Sequence, residues 1–251
     1  YGSVYTSLGC PFSCYYCNVA ALYDGRGVRE RPIEGIRREI DTLATRYRVR
    51  NIKIWDELFA LKEKRVLAIC DVLKDYDLNI WAYARTDTIT PRMLKAMKAA
   101  GFTWLAYGFE STDDPKFRLA EKAVQVTREA GISIIGNFLF GLPGQTEDDW
   151  KANLEMAMKW NLEYINFNVA LPYPGSPWYE SLEVKPTDWG AFNQYAPNIC
   201  ADPKVVQFKD AAFQSYFRRP EYLSMLRDKF GGQAEQHIRE MLGWKIKRKD
   251  T

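Results

Sequence analysis

Thr90–Phe109 reads TPRMLKAMKAAGFTWLAYGF and decides the fold class of this chain of 251 residues. Thr90 suits a helix N-cap, Pro91 the first helical position and Gly101 the C-terminal cap. The run Phe102–Phe109 that follows is apolar and aromatic, as in a buried strand. The stretch therefore predicts a helix that turns at a glycine into a strand.

The same order of helix, glycine and strand returns thirty residues later, where EAGI at 129–132 repeats AAGF at 99–102. Similar segments extend over the first two thirds of the chain. Strands are predicted at 3–7, 51–55, 79–84, 102–109, 132–140 and 164–171, and helices at 32–47, 62–74, 91–100, 116–130 and 146–160. Alternation of this kind predicts a parallel sheet. A closed eight-stranded barrel needs ~250 residues. We therefore predict an α/β fold, a partial open (β/α)6 TIM-like barrel.

The composition of the sequence and the pattern of predicted elements change after Pro177. Residues 183–203 are irregular and rich in Pro, Asn and Asp, and three helical patterns follow at 205–217, 220–230 and 233–242. We predict a barrel core over 1–180, and an irregular linker with a C-terminal helical appendage over 181–251. His237, in the last helix, is expected to be a helix-surface or packing residue rather than a ligand, and the basic tail 245–249 is expected in solvent.

Composition excludes several classes of function. Lys and Arg number 35 against 32 Asp and Glu, so a formal charge of +3 gives no electrostatic case for a nucleic-acid-binding protein. No stretch approaches the ~18 apolar residues of a membrane span. A single His argues against a His-rich zinc site. Because the chain opens with Tyr1 and shows no signal peptide, we expect the remainder of a longer, cytoplasmic protein.

Three of the five cysteines, Cys10, Cys14 and Cys17, have the spacing C-x3-C-x2-C. Three thiolates on one loop can hold three irons of a [4Fe–4S] cluster, which normally has four Cys ligands. One iron would then be open to an exogenous ligand. Zinc, which prefers four ligands in paired knuckles, and three coincidentally buried cysteines are the alternatives. Cys70 lies in a helical pattern and is expected in the core, and Cys200 has no predicted role.

This motif, with Tyr16 before its last cysteine, resembles that of the radical S-adenosylmethionine (AdoMet) superfamily. The resemblance covers about residues 1–180 and implies a partial barrel that binds a [4Fe–4S] cluster and AdoMet. Asp56 and Glu57 follow the second predicted strand, where the family places groups that hold the AdoMet amino nitrogen. Arg85 ends the third strand, and the resemblance implies that it faces the AdoMet carboxylate. Salt bridging at the surface is the alternative for Arg85.

Three further stretches at strand ends strengthen the resemblance. Glu110 and Ser111, in GFES, are similar to a family element that contacts the AdoMet ribose or methionine end. Leu139 and Gly141, in FLFGLPG, are similar to the turn that packs the adenine. Pro172, in PYPGSP, ends the sixth strand, near the adenine in relatives. One departure is the short segment after Ser111, where relatives have a longer stretch with a Lys-Gly pair.

The stretches at 136–147, 172–177 and 211–223 are most similar to the cobalamin (B12)-binding class, which includes methyltransferases that act on unactivated carbon. The cobalamin domain that precedes the barrel in that class is not present in these 251 residues. The resemblance implies reductive cleavage of AdoMet to a 5′-deoxyadenosyl radical, which abstracts hydrogen from a small-molecule substrate. It also implies a reductant such as flavodoxin or ferredoxin, and cobalamin as a further cofactor for C-methylation.

Other readings of the sequence stay open. One is methylthio transfer to tRNA, which would require a basic nucleic-acid-binding module. A second is radical rearrangement or oxidation without cobalamin. A third is a non-catalytic iron–sulfur sensor, which would not need acidic residues and a Gly-Leu-Pro-Gly turn around one mouth.

Overall fold

The computed structural model describes residues 1–110, 115–192 and 203–244. Six parallel strands form one sheet, and a short antiparallel pair lies beside it. The strands are β1 (Gly2–Val4), β2 (Ser7–Leu8), β3 (Arg29–Glu30), β4 (Asn51–Ile54), β5 (Asn79–Ala84), β6 (Phe102–Glu110), β7 (Ser133–Phe140) and β8 (Tyr164–Val169). The helices are α1 (Val19–Leu22), α2 (Ile33–Asp41), α3 (Glu63–Leu73), α4 (Pro91–Ala99), α5 (Ala120–Glu129), α6 (Glu147–Trp160), α7 (Pro177–Glu180), α8 (Pro203–Phe217), α9 (Pro220–Phe230) and α10 (Gly232–Gly243).

The parallel sheet has the order β1-β4-β5-β6-β7-β8, so each strand pairs with the next parallel strand along the chain. β1 and β8 are the two edges, and the sheet is therefore open. This arrangement confirms the predicted α/β class and the partial six-stranded barrel. The carboxyl ends of all six strands meet at one rim, which is where sites form in such folds.

Alternation along the strands separates the core from the concave interior of the sheet. In β8, Phe167 is buried and packs against Phe140 and Tyr216. The alternate residues Asn166 and Asn168 are only half-buried and face the other side of the strand. In β8 the apolar face therefore builds the core beneath the helices, and the interior face carries polar side chains.

Helix starts follow the predicted capping chemistry. The Thr90 side chain accepts a hydrogen bond from the Met93 amide at the start of α4. Thr146 and Asp149 form a reciprocal capping box at the start of α6. The two caps satisfy backbone donors that the helices themselves leave free, and they confirm the helix starts expected at Pro91 and Thr146.

Three predicted boundaries were wrong in detail. The expected first strand 3–7 is interrupted, because the Thr6 amide donates to the Asp56 carboxylate rather than continuing the ladder with β4. The helix expected over 32–47 ends as a π-helical turn at Thr42–Arg46. There the hydroxyls of Thr42 and Thr45 bond to carbonyls four residues back and compete with the helical ladder. The helix expected from 116 begins with a 3-10 turn, Pro115–Leu119.

The three C-terminal helices are present as predicted; α8 packs on β8 and α6 of the barrel, and α10 packs on α8 and α9. The Tyr216 hydroxyl donates to the Leu162 carbonyl at 2.7 Å, and the Tyr222 hydroxyl to the Glu163 carbonyl at 3.1 Å. Their buried apolar residues join the same hydrophobic cluster as the sheet. The division of the chain at residue 180 stays a prediction. His237 is exposed, so it is a residue of the helix surface.

Some predictions fall outside the described residues, namely those for Cys200, Ser111, the segment after Ser111 and the basic tail 245–249. Among the helices in the described ranges, none combines the length and the apolar character needed to cross a membrane.

Candidate functional site

A loop at residues 9–28, here termed the cysteine loop, is closed at its neck by the pairing of β2 with β3. Ser7 lies opposite Glu30 and Leu8 opposite Arg29. Gly9 has a φ of +89°, and a Cβ atom there would overlap the carbonyl oxygen of Gly27. Only glycine fits this close backbone approach. The two ends of the loop are therefore fixed next to each other.

The cysteine loop carries Cys10, Cys14 and Cys17, all half-buried and all free thiols. The Cys17 amide donates to the Cys14 carbonyl at 3.0 Å, so the last two cysteines share a tight turn. Burial raises the pKa of Cys10 and of Cys17, and the charge of Cys14 raises both pKa values further. The three thiols therefore lie close enough to one another to interact electrostatically.

This donor set fits an iron–sulfur cluster better than a single metal ion. Within residues 1–110, 115–192 and 203–244, no three His, Cys, Asp or Glu side chains converge on a point that one ion could occupy. A [4Fe–4S] cubane binds each thiolate through a different iron, so its three sulfurs need not converge in this way. Cysteine thiolates are also the usual ligands of such clusters.

Arg85 follows β5 and extends over the cysteine loop. One guanidinium nitrogen lies 3.6 Å from Cys14 Sγ, and the group stacks on the Phe12 ring at 3.8 Å from its centroid. The other two guanidinium nitrogens donate hydrogen bonds of 2.9 and 2.7 Å to the Asp87 carboxylate. The Asp87 hydrogen bonds raise the pKa of Arg85, and the arginine charge lowers the pKa of Cys10. Arg85 thus places a fixed positive charge beside the thiols.

Asp56 is not exposed at the rim, contrary to what its position after a predicted strand suggested. Its carboxylate is buried, and Oδ1 accepts from the Thr6 amide at 2.5 Å. Oδ2 accepts from the hydroxyls of Thr6 and Ser7 at 2.5 and 2.6 Å. Three donors occupy this buried carboxylate, and the binding of the AdoMet amino nitrogen by Asp56 stays a prediction. In this structure Asp56 fixes the strand that enters the cysteine loop.

Glu57, the next residue, is exposed at the rim and faces the cysteine loop. Its carboxylate accepts a hydrogen bond of 3.3 Å from the hydroxyl of Tyr23 on that loop. Loss of hydration raises the pKa of Glu57, and the neighbouring Asp56 adds to this. The negative charge of Glu57 in turn raises the pKa of Cys10 and Cys17. Of the Asp56-Glu57 pair, only Glu57 presents a carboxylate to the space above the thiols.

Glu110 ends β6 in an unusual backbone conformation, with a φ of +63°. Its carboxylate folds back across Gly108, where a Cβ atom would overlap Oε1. The strand register also shifts between Gly108 and Glu110 in the pairing with β7. Positive φ at a non-glycine residue costs energy and is concentrated at functional sites. Glu110 thus stands at the carboxyl end of β6, with its carboxylate folded back over Gly108.

The turn after β7 is shaped by Gln145, whose side-chain oxygen accepts from the amides of Gly141 and Leu142, both at 3.0 Å. Gly141 has a φ of +82°, and a Cβ atom there would lie 3.0 Å from Val205 of α8. The half-buried Leu139 lies on the interior face just before the turn. At this turn the backbone itself lies at the rim, because Gly141 has no side chain to cover it.

The far edge of the rim is closed by α7. Tyr15 of the cysteine loop stacks on Trp178, with ring centroids 6.3 Å apart, and the Trp178 amide donates to the Tyr15 carbonyl at 2.9 Å. The Tyr15 hydroxyl lies 2.8 Å from Ser181 Oγ. Pro172 is buried, and Tyr16, the residue after Tyr15, is half-buried. Trp178 was not among the predicted site residues. The signal available in the sequence was the pair Pro177-Trp178 at the start of a helix.

The comparisons with known proteins agree with this geometry. The family model described as the radical SAM superfamily matches residues 4–157, which is more than half of the chain. This chain belongs to the radical SAM superfamily. The match includes the cysteine loop and strands β4 to β7, the elements that build the rim.

Radical SAM relatives are similar over most of this chain. An uncharacterized methyltransferase of Pyrococcus horikoshii is 31% identical, with 89% of this chain and 52% of that protein covered. A bacteriochlorophyllide d C-8(2)-methyltransferase of Chlorobaculum tepidum is 25% identical, with 82% and 51% covered. A Methanocaldococcus jannaschii protein named as a methylthiotransferase is 22% identical, with 67% and 41% covered. The chain therefore spans about half the length, or less, of these curated relatives.

Solved radical SAM structures share the fold. The radical S-adenosylmethionine methyltransferase TsrM of Kitasatospora setae, with cobalamin and a [4Fe–4S] cluster bound, has a TM-score of 0.60 and 21% identity. The superposition covers 70% of this chain and 38% of TsrM. Coproporphyrinogen III oxidase of Escherichia coli has a TM-score of 0.61 and 14% identity, with 86% and 51% covered. At these identities the likeness concerns the fold alone.

Proposed function

We propose that this chain is the catalytic core of a radical SAM methyltransferase. It would use a [4Fe–4S] cluster with one open iron to cleave AdoMet reductively, and the resulting 5′-deoxyadenosyl radical would abstract hydrogen from an organic substrate. The observation that carries the proposal is the set of three free thiols, Cys10, Cys14 and Cys17, on one loop at the carboxyl rim of an open parallel barrel. Residues 1–180 would form this core and 181–251 a linker with a helical subdomain.

The chain's own residues would hold the cluster in place. Cys10, Cys14 and Cys17 would bind it as thiolates, which requires the loss of protons that burial otherwise favours. Arg85 would offset the added negative charge, since its guanidinium already contacts Cys14. When bound, the cluster would supply one electron to the AdoMet sulfonium, which then breaks into methionine and the 5′-deoxyadenosyl radical.

AdoMet would bind across the rim between the cysteine loop and the ends of β6 to β8. Glu57 offers a carboxylate for the AdoMet ammonium, and Glu110, with Ser111 beyond the described residues, offers polar groups for the ribose. Leu139, Gly141 and Pro172 would line the adenine site, where a flat ring packs against exposed backbone and apolar side chains, with Tyr16 on the facing loop. The rim thus supplies a charged end and an apolar end for one ligand. Positioning and exclusion of water are the protein's contribution.

Methyl transfer is favoured over other radical chemistry by the relatives, of which the most similar ones described above are methyltransferases. Cobalamin would be a further cofactor for C-methylation, as TsrM is a methyltransferase with cobalamin bound. No residue of this chain is assigned to cobalamin. A small-molecule substrate, a flavodoxin or ferredoxin as reductant and a cytoplasmic location complete the proposal. Free thiols in the described residues agree with a reducing compartment.

The test is anaerobic reconstitution with iron and sulfide, followed by reduction with AdoMet present and analysis for 5′-deoxyadenosine. We expect bound iron and 5′-deoxyadenosine in the wild type, and loss of both in Cys14→Ala. Cys70→Ala is the matched control, because Cys70 is buried in α3 and burial raises its pKa to about 12. Full iron content in Cys14→Ala would overturn the site. A reconstituted wild type that forms no 5′-deoxyadenosine would overturn the proposed cleavage and favour a sensor.

A second assay separates methyl transfer from oxidation or rearrangement. AdoMet with an isotopically labelled methyl group, supplied with cobalamin, should yield a labelled organic product. Formation of 5′-deoxyadenosine with no label transferred to any substrate-derived product would favour the radical chemistry that does not use cobalamin.

A further inference from the structure

Lys53 is the third residue of β4 and is only 6% exposed. Its ammonium nitrogen lies in a cage of three aromatic rings, 2.9 Å from the centroid of Trp55, 3.9 Å from that of Trp81 and 5.3 Å from that of Tyr83. We call these four residues the lysine cage. Lysine is among the side chains least often fully buried, and a buried ammonium normally has an anionic or hydrogen-bonding partner.

The lysine cage belongs to the interior face of the open barrel. Ile52 and Ile54, which flank Lys53 in β4, are fully buried in the hydrophobic core. Because side chains alternate along a strand, Lys53 faces the opposite side. It pairs in register with Trp81 of β5, and Glu57 at the rim lies four residues further along the chain. Lys53 therefore lies within the barrel, below the rim that carries the cysteine loop.

The ammonium of Lys53 has three N–H donors, its nearest described neighbours are the three aromatic faces, and no charged group of the described residues contributes to its pKa shift. The aromatic faces attract the cation but leave its hydrogen-bonding capacity largely unused. Burial alone lowers the pKa of Lys53 to about 8, with no neighbouring charge contributing to the shift. At neutral pH the group is still mainly a cation.

The cage is rigid enough to select a ligand. The Trp55 indole N–H donates to Ser3 Oγ at 3.1 Å, which fixes the ring across the β1 edge. Trp81 packs edge-on against Tyr83, with centroids 5.3 Å apart. Trp55 is 36% exposed, so the cage opens toward solvent at one wall. An anion that enters there would meet a cation that burial has partly desolvated, and its apolar body would meet the aromatic faces of the cage.

We propose that Lys53 binds a carboxylate or phosphate group of the substrate inside the barrel, with Trp55, Trp81 and Tyr83 packing against the substrate's apolar body. The assignment of this anion as part of the substrate rests on the proposed function. The anion site itself rests on the geometry of the lysine cage. The inference specifies a substrate class: molecules that join an acidic group to a flat or bulky apolar frame.

The test measures binding of simple probes to the chain by quenching of tryptophan fluorescence. Benzoate and phenyl phosphate represent the two anion types, and benzamide is the neutral match of benzoate. We expect saturable binding of at least one anion and weak binding of benzamide. Lys53→Met should weaken anion binding about tenfold or more, because hydrogen bonds to a charged group are lost. Lys53→Arg should retain binding to within a few-fold.

Lys95→Met is the matched control, since Lys95 is exposed on α4 and should bind no probe. Equal affinity of the Lys53→Met variant and the wild type for both anions would overturn the inference, as would the lack of saturable anion binding to the wild type. If Lys53→Met does not fold, the lysines of the wild type are labelled with methyl groups and their NMR signals are followed instead. Benzoate or phenyl phosphate must then shift the Lys53 signal, and an unmoved signal refutes the site.

The anion site and the proposed function can fail separately. Lys53 is not among the residues assigned to AdoMet or to the cluster, so Lys53→Met should still form 5′-deoxyadenosine from AdoMet in the absence of substrate. Anion binding without 5′-deoxyadenosine in the wild type would refute the proposed function and leave the anion site standing. The reverse result would refute the anion site alone.

Discussion

Replacement of Asp56 by alanine tests whether this buried carboxylate holds the entry to the cysteine loop. The side chain is 1% exposed and accepts three hydrogen bonds, from the Thr6 amide and from the hydroxyls of Thr6 and Ser7. Asp56→Ala leaves all three donors without their acceptor, at ~1 kcal/mol or more for each. We therefore expect the free energy of unfolding to fall by about 3 kcal/mol. For a chain of this size, that corresponds to a decrease in Tm of about 6–12 °C.

Urea and thermal unfolding followed by far-ultraviolet circular dichroism provide the assay. Asp71→Ala is the matched control, because the Asp71 side chain is 72% exposed and its pair with Lys74 lies at the surface. An exposed pair of this kind contributes less than about 1 kcal/mol. The reasoning would be refuted if Asp56→Ala were as stable as Asp71→Ala. Iron content after reconstitution should also fall in Asp56→Ala, since Thr6 and Ser7 lead directly into the loop.

Three further predictions concern the turns and the C-terminal helices. Hydrogen bonds from two arginines lower the pKa of Glu235 to about 2. The wild type should therefore be more stable than Glu235→Gln above pH 4.5, and this difference should disappear as the pH falls towards 2. Urea unfolding across that pH range measures the difference. Gly141→Ala should destabilise the chain more than Gly144→Ala. Both glycines have a positive φ, which costs an alanine ~1–2 kcal/mol of stability. Only the new methyl group at Gly141 would also contact Val205, at 3.0 Å. Equal Tm values would contradict this. Tyr222→Phe, which removes a hydrogen bond to the carbonyl before β8, should cost about 1 kcal/mol in chemical unfolding, and an unchanged midpoint would refute it.

The parts of the fold that could be predicted from sequence are those with a local cause. The start of α4 was predictable because Thr90 caps the helix and Pro91 occupies its first turn. Gly101 allowed the positive φ of +93° at which α4 gives way to β6. β-branched and aromatic runs marked β4 to β8, and their alternation with helices predicted the parallel sheet. The cysteine spacing marked the loop by itself.

The parts that could not be predicted depend on partners distant in sequence. Asp56 and Glu57 are adjacent acids with similar sequence contexts, yet Thr6 and Ser7, about fifty residues earlier, bind only the first. The pairing of β2 with β3 involves two residues on each side, too few for any periodic signal. Lys53 was the charged residue in the run NIKIW, and only the register with β5 shows what surrounds it.

The neck formed by β2 and β3 separates the cysteine loop from the hydrophobic core of the barrel. Between Val4 and Ile36 the chain contributes no residue to the buried hydrophobic core of the described ranges, and α1 has no buried residue. The fully buried core of the barrel is thus built without a side chain from the cysteine loop. Because the pairing of β2 with β3 holds both ends of the loop, a change within residues 9–28 should leave the contacts of the barrel core in place.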